Sequence, residues 1–540
     1  VFDIVIHNGH ILDGKGSPWY AGDIGIRDGH IAAIGKLSGA RAKQEIDANG
    51  RVVAPGFIDM LGQSEVTMLV DPHVPSKVFQ GITTEITGEG DSIAPQTDAT
   101  FKDFQVQSEF AHYGITPDWR TFPEYFARLH KLGMGINLGT YVGATQVRRL
   151  VIGDEDRKAT PDELARMKEM VAESMRDGAR GVSTALEYPP APYASTEELI
   201  ALASVSAQFG GIYATHMRNE GDGEMDSLAE TARIAREAHI PVEIFHLKTA
   251  GKPNWGKMPQ VVAFIEHARS EGLDIEADTY AYTAWNNDLA AFIPPWAVNG
   301  GISKMLERLK DPATRARIRK DMETPSATWD NEWQEVSGPD GILISSVKNQ
   351  SLESLEGKTI ADIAKMWNED PINAIFDLLI KDDGFTNASV FGMSEPDVEL
   401  ALKQPWVSID NDYSGVSPTG ILGKEHAHPR AYGTFPRIIH KFVEQKQLLT
   451  LPEAIRKFSA LPAQRMGLAD RGVLKLGMWA DVVVFDPAKV RDLATYENPN
   501  QLSVGMDYVL VNGVPVIADG KMTSALPGRV LYGPGYTGSR

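Results

Sequence analysis

Four successive helix-then-strand units set between two strand-rich ends predict an α/β fold. The expected architecture is a TIM-like (β/α)8 barrel, with a small β-sandwich built from both chain termini and an inserted helical subdomain. The leading end supplies the first observation. "FDIVIHNGHILDG" (2–14), "GDIGIRDGHIAAIGKL" (22–37) and "QEIDANGRVVAPG" (44–56) alternate apolar and polar residues, with Asn8-Gly9 and Asp28-Gly29 reading as turns. The trailing end repeats the pattern in "GMWADVVVFDP" (477–487) and "MDYVLVNGVPVIADGKM" (506–522), where Asn512-Gly513 and Asp519-Gly520 mark further turns. The two ends are expected to pair, so residues 1–54 and 470–540 form one β domain.

Between them the period changes. "TPDELARMKEMVAESMRDGARGVSTAL" (160–186) is an amphipathic helix with Thr160 as its cap, followed by a strand. The stretches 196–221, 227–251 and 257–282 repeat that unit, and such a run favours a closed parallel barrel over an open sheet. The barrel is expected over 55–469. A charged helical stretch, "KMLERLKDPATRARIRKDMET", breaks the rhythm and reads as a subdomain or lid inserted at about 297–345.

Composition narrows the function. A chain of 540 residues is long for one core and fits a large domain beside a smaller one. A net charge of −19 argues against nucleic acid or an anionic membrane as partner, and reads most simply as solubility. The absence of cysteine excludes disulfides, thiolate ligands and a cysteine nucleophile. No apolar run is long enough to span a membrane. The chain opens on Val1, so the cytoplasm and export after loss of a leader are both expected compartments.

In a (β/α)8 barrel the reacting groups sit where strands give way to the following loops. That rule selects His216 in "IYATHMRNEG", His246 and Lys248 in "VEIFHLKTAG", Glu89 and Asp91 in "EITGEGDS", and Asp410 and Asp412 in "WVSIDNDYSG". Two imidazoles on consecutive strand ends plus a carboxylate suit a catalytic zinc, and equally a two-histidine, one-carboxylate iron site. A lone histidine is more often structural; its repetition at equivalent strand ends is what favours a metal. The acidic run "RNEGDGEMD" (218–226) reads as a solvated loop over the barrel mouth.

Longer motifs add a resemblance. "VVAPGFID", "QGITTEITGEG", "YATHMRNEG", "FHLK", "FGMSEPDV", "HPRAYGTFPR" and "GVLKLGMWADVVVFDP" are similar to the amidohydrolase superfamily, and specifically to its N-acyl-D-amino-acid deacylase (D-aminoacylase) group, over nearly the whole chain. The resemblance implies zinc on His216 and His246. The group's cysteine ligand is absent, with Glu89 the best-placed substitute and Asp91 the runner-up. It also implies Asp410 as proton shuttle, with Asp412 as the alternative, and Lys248, Tyr188, Tyr280 and Arg430 around a small substrate, with Arg430 holding its carboxylate by a bidentate contact. His428 belongs to "HPR" and is expected to be structural, as is His73 in its loop.

One departure stands out. After "APGFID" the group carries a His-x-His that helps hold a second metal; here those positions are Leu61 and Gln63. Leucine has no donor and an amide oxygen is a poor ligand for a metal that prefers imidazole. The expectation is therefore one Zn2+ per chain, held by Glu89, His216 and His246. Gln63 and Glu65 would point into the pocket, and Asp410 would carry a proton from the attacking water to the leaving nitrogen of an N-acyl amino acid or dipeptide-like amide. Hydrolysis of a lactone, cyclic amide or carbamate on the same frame, and an inactive binding homologue, stay open at this stage, as does assembly into a homo-oligomer.

Overall fold

The computed structural model describes residues 1–538. Both termini build one nine-stranded sheet, in which Val482–Phe485 lies antiparallel to Val52–Pro55 and so stitches the end of the chain to its beginning. Phe2–Ile11 divides its pairing along its length. Residues 2–7 pair with Ala42–Asp47, and residues 10–11 with Val52–Pro55. This branching lets one sheet fold into two layers over a core of Ile4, Ile6, Ile24, Ile26, Val482, Val484 and Leu510.

Three of the four expected turns close hairpins. Asp28-Gly29, Asn512-Gly513 and Asp519-Gly520 all adopt positive φ at both positions, as two-residue hairpin loops require. Asn8-Gly9 does not reverse the chain. It is a bulge inside a continuous strand, with Asn8 at φ 56° and its N–H donated to Asp23. Gly9 lies against Val53, where a Cβ would sit 2.7 Å from the valine Cγ2. An Asn-Gly pair satisfies either geometry, and here the neighbouring strand chooses.

The barrel takes eight parallel strands in chain order. They are Phe57–Asp59, Ile82–Thr87, Asn137–Thr140 with Val142–Gly143, Gly181–Ala185, Ile212–His216, Val242–Ile244, Ile275–Thr279 and Val407–Ile409. It closes where the Met60 N–H reaches the Ile409 carbonyl and the Asp412 N–H reaches that of Leu61. Caps hold the outer helices. Pro161–Asp177 starts in a Thr160–Glu163 capping box and stops at Gly178, whose φ of 114° ends the helix.

Between the seventh and eighth strands, the charged stretch expected at 297–345 forms the helices Ile302–Lys310 and Pro312–Met322. A three-stranded antiparallel sheet accompanies them, made of Ala284–Asp288, Ile342–Ser346 and Asn387–Phe391. Its strands are short and far apart in sequence, so the helical period dominates the sequence pattern there. No helix among the described residues is long and apolar enough to cross a membrane.

Candidate active site

Three strand ends converge at the barrel mouth. His216 closes the fifth strand, His246 stands two residues past the sixth, and Glu89 follows the second in a Gly88-Glu89-Gly90 turn. Both glycines take positive φ, and a Cβ on Gly90 would lie 2.7 Å from the Ala185 backbone. Glu89 Oε1 lies 3.2 Å from His216 Nδ1 and 3.1 Å from His246 Nε2. The two imidazoles stand nearly perpendicular, their centroids 4.6 Å apart. His246 has a φ of 37°, a left-handed backbone that costs a non-glycine residue about 1–3 kcal/mol. Its N–H is held by Asp278 Oδ1 at 2.6 Å.

The far side of each imidazole also meets a carboxylate. Glu187 Oε2 is 3.0 Å from His216 Nε2, and Glu220 Oε1 is 3.2 Å from His246 Nδ1. Such outer carboxylates fix ring orientation and raise the basicity of metal-binding histidines. Burial disfavours charge on both rings, yet the surrounding carboxylates, Glu220 foremost, raise both histidine pKa values. Burial likewise works against an ionised Glu89, and the hydrogen bonds to His216 and His246 outweigh it and hold the carboxylate far below its usual range. The centre is built for positive charge. One potential ligand atom from each of Glu89, His216 and His246 lies within 4.8 Å of the others, and two imidazoles with one carboxylate match the donor set of a catalytic zinc. Asp91, the runner-up, is committed elsewhere: it is exposed and pairs with Arg149 at 2.6 Å.

Leu61 is fully buried among Ile58, Met60, Ile86 and Phe245. Gln63 lines the cavity, and its Nε2 donates to Glu89 Oε2 at 3.1 Å and to Asp412 Oδ1 at 3.0 Å. The amide thus bridges two carboxylates with its positive end, as a second cation would. Glu65 lies off the cavity lining.

Asp412, and not Asp410, lines the cavity. Asp410 keeps register with the neighbouring strand, its N–H on the Thr279 carbonyl, and its side chain is buried near Asp278 with neither carboxyl oxygen meeting a donor. Burial and the nearby Asp412 charge push it up to about 7. Asp412 keeps its N–H on the Leu61 carbonyl but adopts a φ of 46°. There Arg430 Nη1 approaches its Oδ2 to 2.8 Å, while Arg430 stacks 4.5 Å over the Tyr280 ring. A strand-end rule cannot separate two aspartates two residues apart; a backbone twist does.

Tyr188 and Lys248 line the cavity, whereas Tyr280 and Arg430 support it from behind. Lys248 pairs with Glu220 at 2.7 Å and keeps its charge despite burial. His428 accepts the Arg430 N–H on Nδ1 and meets the Ala284 carbonyl through Nε2, a structural arrangement. The acidic run 218–226 departs from a solvated loop: Glu220 and Glu224 are buried, because the insertion packs down upon them. Sequence reasoning missed Glu187, although it follows a strand end and the same rule finds it. It also missed Asp330, Glu332 and Glu335, which the insertion brings in and which no period or motif signals.

Comparison with known proteins decides the kinship. A model described as "Amidohydrolase family" matches residues 44–517. The chain belongs to the amidohydrolase family. Within it, the chain is 34 % identical to a D-aminoacylase from Alcaligenes xylosoxydans xylosoxydans, over 98 % of this chain and 97 % of that one. A crystal structure of N-acyl-D-glutamate deacylase from Bordetella bronchiseptica, in complex with zinc and a phosphonate mimic of the tetrahedral intermediate, superposes with a TM-score of 0.81 at 32 % identity, covering 98 % of this chain and 99 % of that one. A solved D-aminoacylase, described by one-metal activation and second-metal attenuation of its binuclear centre, gives 0.82 at 32 % identity, covering 98 % and 100 %. This amidohydrolase is a metal-dependent enzyme acting on carbon–nitrogen amide bonds, within the deacylase group that its motifs indicate.

Proposed function

We propose that the protein is a one-zinc N-acyl-amino-acid deacylase, its natural substrate of D configuration. The observation that carries this reading is the convergence of Glu89, His216 and His246 beside a Gln63 that occupies the ground of a second metal. Zinc held by those three residues would supply a Lewis acid for the scissile carbonyl and draw the pKa of a water toward ~7.

The remaining chemistry belongs to the chain. Asp412 takes a proton from the attacking water and returns it to the leaving nitrogen, the task of a carboxylate that reaches both. Its left-handed backbone aims it; burial raises its proton affinity, and Arg430, which holds it in place, offsets part of that rise. Lys248, which faces the cavity, offers the positive charge for the substrate carboxylate, and Tyr188 bounds the substrate on the opposite side. The acyl chain occupies the adjoining cavity of about 560 Å³, whose walls include Val106, Val298, Ile302 and Val347.

The test is metal analysis joined to hydrolysis. We expect close to one tightly held zinc per chain, release of amino acid from N-acetyl-D-amino acids, and loss of that activity on chelation with recovery on adding zinc. Two tightly bound metals would reject the one-metal reading. A zinc-loaded protein that releases no amino acid from any N-acyl substrate of either hand would reject the deacylase.

A further inference from the structure

The inner cavity, about 220 Å³, is markedly acidic. Besides Glu89 and Asp412 it is lined by Glu187, Glu220, Asp288, Asp330, Glu332 and Glu335, against Lys248 as the one lysine or arginine in its lining. Lys248 is already paired with Glu220. An N-acyl amino acid is itself an anion, so a wall of this sign calls for a compensating positive charge on the ligand.

The wall is built. Glu332, Glu335 and Asp330 come from the insertion and are each at least 95 % buried. Glu332 Oε1 accepts from Trp285 Nε1 at 3.0 Å and from the Asn287 amide, which turns that carboxyl in one direction. Its other oxygen, Oε2, meets no donor, and neither do Asp330 Oδ1 and Glu187 Oε1; Glu332 faces the Glu187 carboxyl and Asp330 that of Glu335. Glu335 rests on two glycines. A Cβ on Gly221 would fall 1.9 Å from Glu335 Oε1, and one on Gly251 would fall 3.1 Å from the Glu335 Cα. Buried carboxyl oxygens held in fixed directions with no partner are costly unless a ligand completes them. Burial, joined by the neighbouring carboxylates, pushes Asp330 up to about 7 and Glu332 and Glu335 well above their usual range. An ammonium or guanidinium seated there would restore their charge and satisfy the free oxygens.

We infer that the enzyme is selective for substrates whose amino-acid side chain is cationic, with the ammonium or guanidinium held by Glu332, Glu335 and Asp330. This rests on the deacylase reading and deepens it. The adjoining cavity also has acidic residues in its lining but is the larger and relatively the more apolar, with Val106, Val298, Ile302 and Val347 to take an acyl chain, and the amine half of the substrate is assigned to the inner one. The insertion, and not the metal centre, then sets which amino acid is released.

The experiment compares N-acetyl-lysine with N-acetyl-norleucine, which keeps the chain and drops the charge, and with N-acetyl-glutamate, on zinc-loaded full-length enzyme and in the enantiomer it accepts. We expect kcat/KM for lysine to exceed norleucine at least tenfold, with glutamate lowest. The lysine-to-norleucine ratio should fall below threefold in Glu332→Gln and in Glu335→Gln. The ratio is taken within one protein preparation, so partial misfolding does not imitate the effect. Norleucine equal to or better than lysine overturns the inference, as does a ratio that survives both substitutions. Binding separates this failure from failure of the deacylase reading. If no N-acyl substrate turns over, free lysine should still bind the zinc-loaded protein more tightly than free norleucine by calorimetry, and lose that advantage in Glu332→Gln. Equal binding overturns it. A second metal ion that disappears in Glu332→Gln also overturns it, since the wall would then be a cation site of its own.

Discussion

The cavity has two halves with different origins. One is the rim of the barrel, where Glu89, His216, His246 and Asp412 project from strand ends. The other is the insertion, which lowers Asp330, Glu332 and Glu335 onto the loops that follow the fifth and sixth strands. In the rim each carboxylate has a cationic or hydrogen-bonding partner within about 3 Å: Glu89 with His216, His246 and Gln63, and Asp412 with Gln63 and Arg430. In the insertion half Glu332 and Asp330 each accept on one oxygen, from Trp285 and Asn287 and from the Glu220 N–H, and leave the other without a donor, as Glu187 does beside His216. The rim is therefore organised around a charge it holds permanently, and the insertion around one it receives. Substitutions should separate accordingly, with the rim governing turnover of every substrate and the insertion governing choice among them.

The largest effect distinguishes the two aspartates of the rim. Asp412→Asn should lower kcat by roughly 10²–10⁴, the usual worth of a positioned general base, while zinc content stays at the parent level. Asp410→Asn, behind the cavity and against Asp278, should stay within about tenfold, because it acts only through packing and charge on its neighbours. The converse result, with Asp410 indispensable and Asp412 tolerant, would return the proton transfer to Asp410 and make Asp412 an ion-pair partner of Arg430.

These contrasts follow what the sequence could and could not show. His216, His246 and Glu89 were legible because a barrel strand ends at a fixed place relative to its apolar run, and three such ends carried donors. The β domain was legible from alternation, though Asn8-Gly9 shows that a turn dipeptide also serves as a bulge when a neighbouring strand packs against its glycine. Asp412 reaches the cavity lining with a left-handed φ that no residue type announces, so strand-end position alone leaves it level with Asp410. Glu332 and Glu335 were invisible for a different reason. They sit in a four-residue helix within an irregular connection, and they reach the site only through tertiary packing, Glu335 onto Gly221 and Gly251 and Glu332 onto Trp285 and Asn287. Their acidity was counted in the net charge and taken for solubility.

A smaller effect concerns Gln63, which joins the two functional carboxylates of the rim. Gln63→Leu removes both donated hydrogen bonds and keeps the approximate size. Glu89 would then lose the contact that orients its second oxygen, and zinc affinity should weaken by about 10–100-fold, the usual range for a residue that positions a metal ligand. Competition with a chromophoric chelator measures this directly. Unchanged affinity would mean that the amide only fills space. Leu61→His with Gln63→His asks the complementary question of whether imidazoles at those positions admit a second metal.

The last effect lies in the insertion half and appears in stability and not in turnover. Asp330 titrates near 4 in an unfolded chain and is pushed up to about 7 here by burial and by the neighbouring carboxylates Glu187 and Glu220. Between those values the folded protein holds a proton that the unfolded chain has released, so stability is greatest at the acid end and declines as pH rises. The loss is complete once pH passes about 7. For a shift of this size the decline is on the order of 2–4 kcal/mol. Urea denaturation of the chelated protein at pH 5.5 and at pH 8.5 should show it as a lower midpoint at the higher pH. Asp330→Asn should make the dependence shallower by one group's share, leaving the part that comes from Glu65, Glu109, Glu243, Asp410 and Glu425, which burial also pushes up to about 7 or 8. A slope that persists unchanged in this variant would place the titration elsewhere and leave Asp330 ionised in the fold. The rim should behave differently in the same measurement. Glu89 is held below its usual range by His216 and His246, so its contribution is present above about pH 4.5 and fades only in acid. Asp412, on the same rim, is pushed up by burial as Asp330 is, so of the two rim carboxylates only Glu89 carries the acid-side loss.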